Sequence, residues 1–190
     1  MKHPIISKGE KMKNIIKLLS ITSVILTLWE SAATGQLNDK AVGVSRKSKQ
    51  KEAVHRDLDF ALRTIEGKEV RLRDYAGKVV LVNIWAPWCG PCRAETPGFV
   101  SLYEKYKGKG FEIISVAVNT NESDVKSFIS QHGVRWLVGI SDAIATKFRT
   151  TAIPDNFLLG PDGRIVKHWV GFTGEEELKM VIEQTLNKPS

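Results

Sequence analysis

The chain has 190 residues, 42% hydrophobic and 26% charged, which is a length for one domain and a composition that excludes coiled coil, collagen and wholesale disorder. Its net charge of +7 is not the footprint of a nucleic-acid binder: residues 1–56 hold eleven Lys and Arg against four Asp and Glu, while residues 57–190 hold seventeen of each. The whole excess sits in an N-terminal extension, whereas a phosphate-binding surface needs its basic residues on the folded body.

Lys11, Lys13 and Lys17 precede an apolar run over residues 18–29, followed by the small residues Ser31-Ala32-Ala33-Thr34-Gly35. A basic stretch, a short apolar run and small residues make the pattern of a secretory signal. The run falls short of the ~20 apolar residues that span a bilayer. Residues 1–35 are therefore expected to be a signal peptide or an N-terminal membrane anchor, with Met12 offering a start of usual signal length. Residues 36–56 carry few apolar residues and no helical or strand period, so they read as a basic, disordered linker. Its Lys and Arg would also suit anionic lipid headgroups.

Residues 57–190 read as one α/β domain. Residues 57–62 and 69–72 alternate polar and apolar around Glu66-Gly67-Lys68, the signature of a β-hairpin. The continuous apolar run 79–85 is too short for most helices and suits a strand buried on both faces. A helix is predicted over 91–106, stopped by Lys107-Gly108-Lys109-Gly110. A second buried strand covers 111–118, a helix 123–132 closed by Gly133, and a short helix 142–149. Strands over 156–159 and 164–170 flank the turn Gly160-Pro161-Asp162-Gly163, and a last helix covers 174–187. Strands alternating with helices in this order predict a mixed central sheet flanked by helices.

The sequence contains two cysteines, in Trp88-Cys89-Gly90-Pro91-Cys92, directly after a predicted strand and opening a predicted helix. Zinc would need further ligands, and the histidines supply none: His3 lies in the leader, His55 in the linker, and His132 and His168 are isolated. No metal and no cofactor is expected. A structural disulfide closing so small a loop would restrict the unfolded chain little. Reversible thiol–disulfide chemistry remains. Cys89 at a helix N-terminus meets unpaired N–H groups and the positive end of the helix dipole, which favour the nucleophilic thiolate. Cys92, one turn on, is placed to attack a mixed disulfide formed by Cys89. Pro91 suits the first turn, Gly90 admits the close approach of another chain, and Trp88 beside Cys89 serves either docking or packing.

The segment V-V-L-V-N-I-W-A-P-W-C-G-P-C-R-A-E-T-P, residues 79–97, resembles the active-site segment of the thioredoxin-like superfamily, and within it of TlpA/ResA-type exported thiol–disulfide oxidoreductases. The resemblance implies a thioredoxin-like fold over residues 57–190, with an N-terminal hairpin and an inserted strand–helix element over residues 108–135. It implies that Cys89 attacks and Cys92 resolves, and that Ile153-Pro154 is a cis-proline turn facing the dithiol, with the Ile153 backbone offered to a substrate strand. Pro97 resembles the proline inside this helix in thioredoxins. Glu95, one turn beyond Cys92, matches the glutamate of the reductant members, where a partly buried carboxylate would carry a raised pKa and accept the Cys92 proton. Thioredoxins carry an acid at the position of Asn83. Where the family has small hydroxyl residues after the cis-proline, this chain has Asp155-Asn156, and the charge is expected to alter partner choice.

The implied function is an extracytoplasmic protein-disulfide reductase, in the periplasm or on the outer face of the cytoplasmic membrane. Disulfide-containing protein substrates, such as cytochrome c haem-attachment or copper-site cysteines, are its expected partners, together with a membrane thiol–disulfide electron donor. A monomer is expected, with membrane attachment, if any, through the N-terminal segment. Three alternatives stay open. One is a disulfide oxidase or isomerase, against which Gly90-Pro91 argues. Another is a thiol peroxidase, which would place Thr where this chain has Ala86. The third is a non-enzymatic module binding metal or haem.

Overall fold

The structure, a computed structural model, describes residues 58–188, so the predicted leader and linker lie outside the described residues. The chain runs β1 (Ala61–Arg63), β2 (Glu69–Arg71), β3 (Val79–Trp85), α1 (Gly90–Tyr106), β4 (Phe111–Ala117), α2 (Glu122–His132), β5 (Leu137–Ile140), α3 (Asp142–Lys147), β6 (Asp155–Leu159), β7 (Ile165–Val170) and α4 (Glu175–Leu186). β1 and β2 form the predicted hairpin, and the other strands form one sheet in the order β5-β4-β3-β6-β7. β4 runs parallel to β3 and to β5, while β6 is antiparallel to both β3 and β7, making the sheet mixed.

β3 explains the layering. All seven of its residues are buried. Alternation sends Val79, Leu81, Asn83 and Trp85 to one face and Val80, Val82 and Ile84 to the other. On the first face Leu81 and Trp85 join Phe99 and Leu102 of α1 and Leu178 and Ile182 of α4. On the second, Val80, Val82 and Ile84 join Leu62, Val70 and Leu72 from the hairpin with Ile144 and Phe148. A strand that serves two cores cannot alternate polar and apolar, which is why its sequence is a continuous run.

Strand β5 was not anticipated from the sequence. Its four residues, L-V-G-I, are too few for a period, and Gly139 reads as a breaker. The glycine is required by contact. A Cβ at position 139 would lie 2.5 Å from the Arg63 carbonyl and 2.6–2.7 Å from Leu62, because the hairpin crosses the sheet edge there. A bridge between Thr64 and Gly139 and an Ile65 N–H to Val138 O bond of 2.9 Å fasten the hairpin to this edge. Gly139→Val is expected to cost about 1–3 kcal/mol of stability as the hairpin is pushed off the edge, read as a lower urea midpoint.

Several boundaries differ from expectation, most by one residue, and β1 covers Ala61–Arg63 where residues 57–62 were expected. The short helix ends at Lys147, and Arg149 takes φ 56° as the chain turns back. Asp155 is the first residue of β6, paired with Ile84 and Val170, and is not part of the preceding turn.

Candidate active site

The site forms where β3 gives way to α1. Cys89 is the N-cap of α1, and its sulfur accepts the Cys92 backbone N–H at 3.2 Å. The two cysteines are joined by a disulfide, with their Cα atoms 5.3 Å apart. Both cysteines are buried, Cys89 at 5% and Cys92 at 2% exposed, but the exposed Trp88, Gly90 and Pro91 border Cys89, so the approach to the pair is from the Cys89 side. Trp88 is 61% exposed, held by its indole N–H on the Asn119 carbonyl at 3.0 Å. Pro91 sits in the first turn, where its missing N–H leaves no helical bond unmade. Pro97 lies inside the helix and withholds the usual partner of the Arg93 carbonyl, yet α1 continues to Tyr106.

Ile153–Pro154 is a cis peptide bond, as the resemblance implies, and it leads directly into β6. The Pro154 carbonyl accepts the Gly171 N–H at 2.7 Å, which draws the segment after β7 to the proline turn. Two residues on, the Thr173 N–H donates to Glu95 Oε2 at 3.3 Å. Phe172, between these two ties, is 59% exposed.

Glu95 is not a solvated helical carboxylate; it is 3% exposed. Besides Thr173, it accepts from Asn83 Nδ2 at 3.3 Å and from Asn156 Nδ2 at 3.3 and 3.1 Å on its two oxygens. Burial, which penalises the charged form, pushes its pKa up to about 7, and the hydrogen bonds from Thr173, Asn156 and Asn83 partly oppose that rise. The amides belong to a polar row cut through the sheet. Asn83 of β3 stands opposite Ser115 of β4 on one side and Asn156 of β6 on the other. Trp136 Nε1 donates to Ser115 Oγ at 2.8 Å, Ser115 to Asn83 Oδ1 at 3.1 Å, and Asn83 Nδ2 to Asn156 Oδ1 at 2.8 Å. Beside this row lies a cavity of about 10 Å³ bordered by Asn83, Trp85, Cys92, Thr96, Ser115 and Trp136, with room for about one water. The buried Trp85 N–H finds no acceptor among the described residues.

The remaining singled-out residues are accounted for by packing. His132 stacks on Phe128 and reaches its carbonyl. His168 stacks on Phe157 and meets Asp155 Oδ1 at 2.6 Å. That contact corrects the expectation for Asp155. Its side chain is 2% exposed and faces the same side of β6 as Phe157, so it offers no free charge to a substrate lying along the proline turn. Trp85 and Trp136 are buried, while Trp169 is half-buried with its N–H on Glu177 Oε1 at 2.6 Å.

Asn156, Thr173 and Phe172 were not recognised as site residues from the sequence. The signal for Asn156 was a polar residue in a strand whose five members are all buried. Thr173 and Phe172 carry no local signal, since a loop distant in sequence delivers them.

The AhpC/TSA family model matches residues 54–168. The thiol-disulfide oxidoreductase ResA of Bacillus thuringiensis is 36% identical over 123 residues, 64% of this chain and 71% of that protein. ResA of Bacillus subtilis is 32% identical over 122 residues, covering 62% and 68% respectively. Among solved structures, a putative thiol:disulfide interchange protein DsbE from Chlorobium tepidum aligns with a TM-score of 0.64 at 32% identity, covering 68% of this chain and 94% of that one. With the cysteine pair at the head of α1 and the cis-proline before β6, these matches establish the chain as a member of the AhpC/TSA family with the thioredoxin-like fold, an enzyme of the ResA-type thiol–disulfide oxidoreductases.

Proposed function

We propose that the protein reduces protein disulfides outside the cytoplasm, with Cys89 as the attacking and Cys92 as the resolving thiol. The observation that carries this reading is a buried carboxylate, Glu95, one turn beyond Cys92 in a site whose exposed residues border Cys89. In the reduced enzyme the Cys89 thiolate attacks one sulfur of a substrate disulfide; that S–S bond breaks, and the other substrate sulfur leaves as a thiolate. Cys92 then gives its proton to Glu95, and the resulting thiolate attacks the Cys89 sulfur. The mixed disulfide breaks, the second substrate sulfur leaves as a thiolate, the Cys89–Cys92 disulfide remains, and the two substrate thiolates take up one proton from Glu95 and one from water. Two electrons have passed to the substrate.

Trp88, Gly90, Pro91 and the Ile153-Pro154 turn form the docking surface in this reading, and exposed Phe172 extends it. The signal-like residues 1–35 support export, and an oxidising compartment then requires a membrane thiol–disulfide donor to recharge the dithiol. Cysteines awaiting haem or copper are substrates of the appropriate kind.

Insulin reduction by the pre-reduced protein, with a potential measured against glutathione, tests the direction. A reductase gives insulin precipitation and a potential below roughly −150 mV on the scale of the known oxidoreductases. A higher potential makes the enzyme an oxidase, and turnover of peroxide instead of insulin makes it a peroxidase.

A further inference from the structure

The hydrogen bonds in the polar row share one direction. Trp136 stands at one end, and an indole nitrogen donates and never accepts. Its bond occupies Ser115 Oγ as an acceptor, which leaves the Ser115 hydrogen for Asn83 Oδ1 at 3.1 Å. The Asn83 amide is thereby turned so that Nδ2 faces Asn156 Oδ1, at 2.8 Å. With its oxygen so used, Asn156 presents Nδ2 to both oxygens of Glu95. Reversing Asn156 would set its oxygen against the carboxylate and its nitrogen against the nitrogen of Asn83. The pattern suits a carboxylate: Asn83, Asn156 and the Thr173 backbone all donate to Glu95.

We propose that Asn156 is a positioning residue for thiol–disulfide exchange, holding Glu95 as a charged and fixed proton acceptor for Cys92, with its own orientation set from Trp136 through Ser115 and Asn83. The proposal rests on the reading of Glu95 as that acceptor. Among the described residues no cation is a partner of Glu95. From β3 and β6 it meets the neutral Asn83 and Asn156, from the loop before α4 the neutral Thr173, and along its own helix the titratable neighbour is Cys92. Asp155 is turned to His168 on the opposite face of the sheet. Glu175 and Glu177, at the start of α4, are bonded to Ser101 and Trp169.

The test is a carboxyl ¹³C NMR titration of Glu95 in the oxidised full chain, where neither cysteine titrates, comparing wild type with Asn156→Leu and Asn156→Thr. Leu keeps the bulk and removes the donors; Thr keeps one hydroxyl. The midpoint is expected to rise by about one pH unit or more in the Leu variant and by less in the Thr variant. Ser115→Ala, which frees the Asn83 amide to turn, is expected to raise it by a smaller amount. Should Leu prevent folding, the Thr and Ser115→Ala variants carry the comparison. A midpoint that stays or falls in the folded variants overturns the proposal. The pH profile of insulin reduction, measured on the same variants, is expected to move with the midpoint. If the midpoint moves and the profile does not, Asn156 does not serve exchange. Glu95→Gln then shows where the fault lies: an unchanged profile in that variant means the reading of Glu95 itself has failed.

Discussion

A Cys92→Ala chain, reduced and given a disulfide-containing protein, is expected to stop at the mixed disulfide on Cys89 and accumulate there. In the proposed mechanism Cys92, one helical turn away, is the resolving sulfur, so its attack is intramolecular and carries a high effective concentration. An external thiol must replace it in the variant, and steady-state insulin reduction is expected to fall at least about 100-fold. Cys89→Ser should lose turnover equally and form no mixed disulfide, because the exposed residues of the site surround Cys89 while Cys92 lies beneath. Non-reducing gels followed by mass spectrometry read both results. Adducts on Cys92 in the Cys89→Ser chain, at the yield seen for Cys89, would reverse the assigned roles.

The second large effect is on stability. Glu95 has an ordinary pKa of 4.5 and titrates at about 7 in the folded protein. Between these values the native state holds a proton that the unfolded chain has released. The free energy of unfolding therefore falls as pH rises from about 4.5 to about 7, and this contribution is flat above. A shift of that size corresponds to roughly 3 kcal/mol lost by pH 8. Urea unfolding of the oxidised protein at pH 5 and pH 8 checks it, with Glu95→Gln as the reference that has no proton to release. The stability difference between the two chains is expected to move against wild type by that amount across the window. A constant difference would mean that the carboxylate is better solvated than its surroundings indicate. Such a cost fits a group kept for proton transfer, since an acceptor works best with a pKa near the working pH.

What was legible in the sequence follows from where the information lies. Residues 79–85 announced a buried strand because seven apolar or amide side chains in a row fit nothing else of that length, and the structure has β3 with the same limits. The helix after Cys89 and the cis-proline turn were readable through local residues and the resemblance, and Gly133 ends α2 as a left-handed cap. β5 was missed because its glycine answers to Arg63, a residue far along the chain. The site divides in the same way. The cysteines and Glu95 share one helix and one spacing, but the partners that fix Glu95 come from β3, β6 and the loop before α4. In the sequence Asn156 shows only as a departure after the cis-proline, because sequence does not show which way a strand residue points. Asp155, its neighbour, went to the opposite face and found His168.

Positions 83, 115 and 156 should be inherited as one unit. The strand register sets them side by side, so an apolar replacement at any one strands a buried donor or acceptor on its neighbour, while exchanging all three confines the loss to the two ends of the row, the Trp136 N–H and the Glu95 carboxylate. Descendants of this chain that fill the seam with aliphatic side chains are thus expected to do so in concert. A drier sheet of that kind would also call for replacement of Trp136 and Glu95, whose buried polar atoms the row now serves.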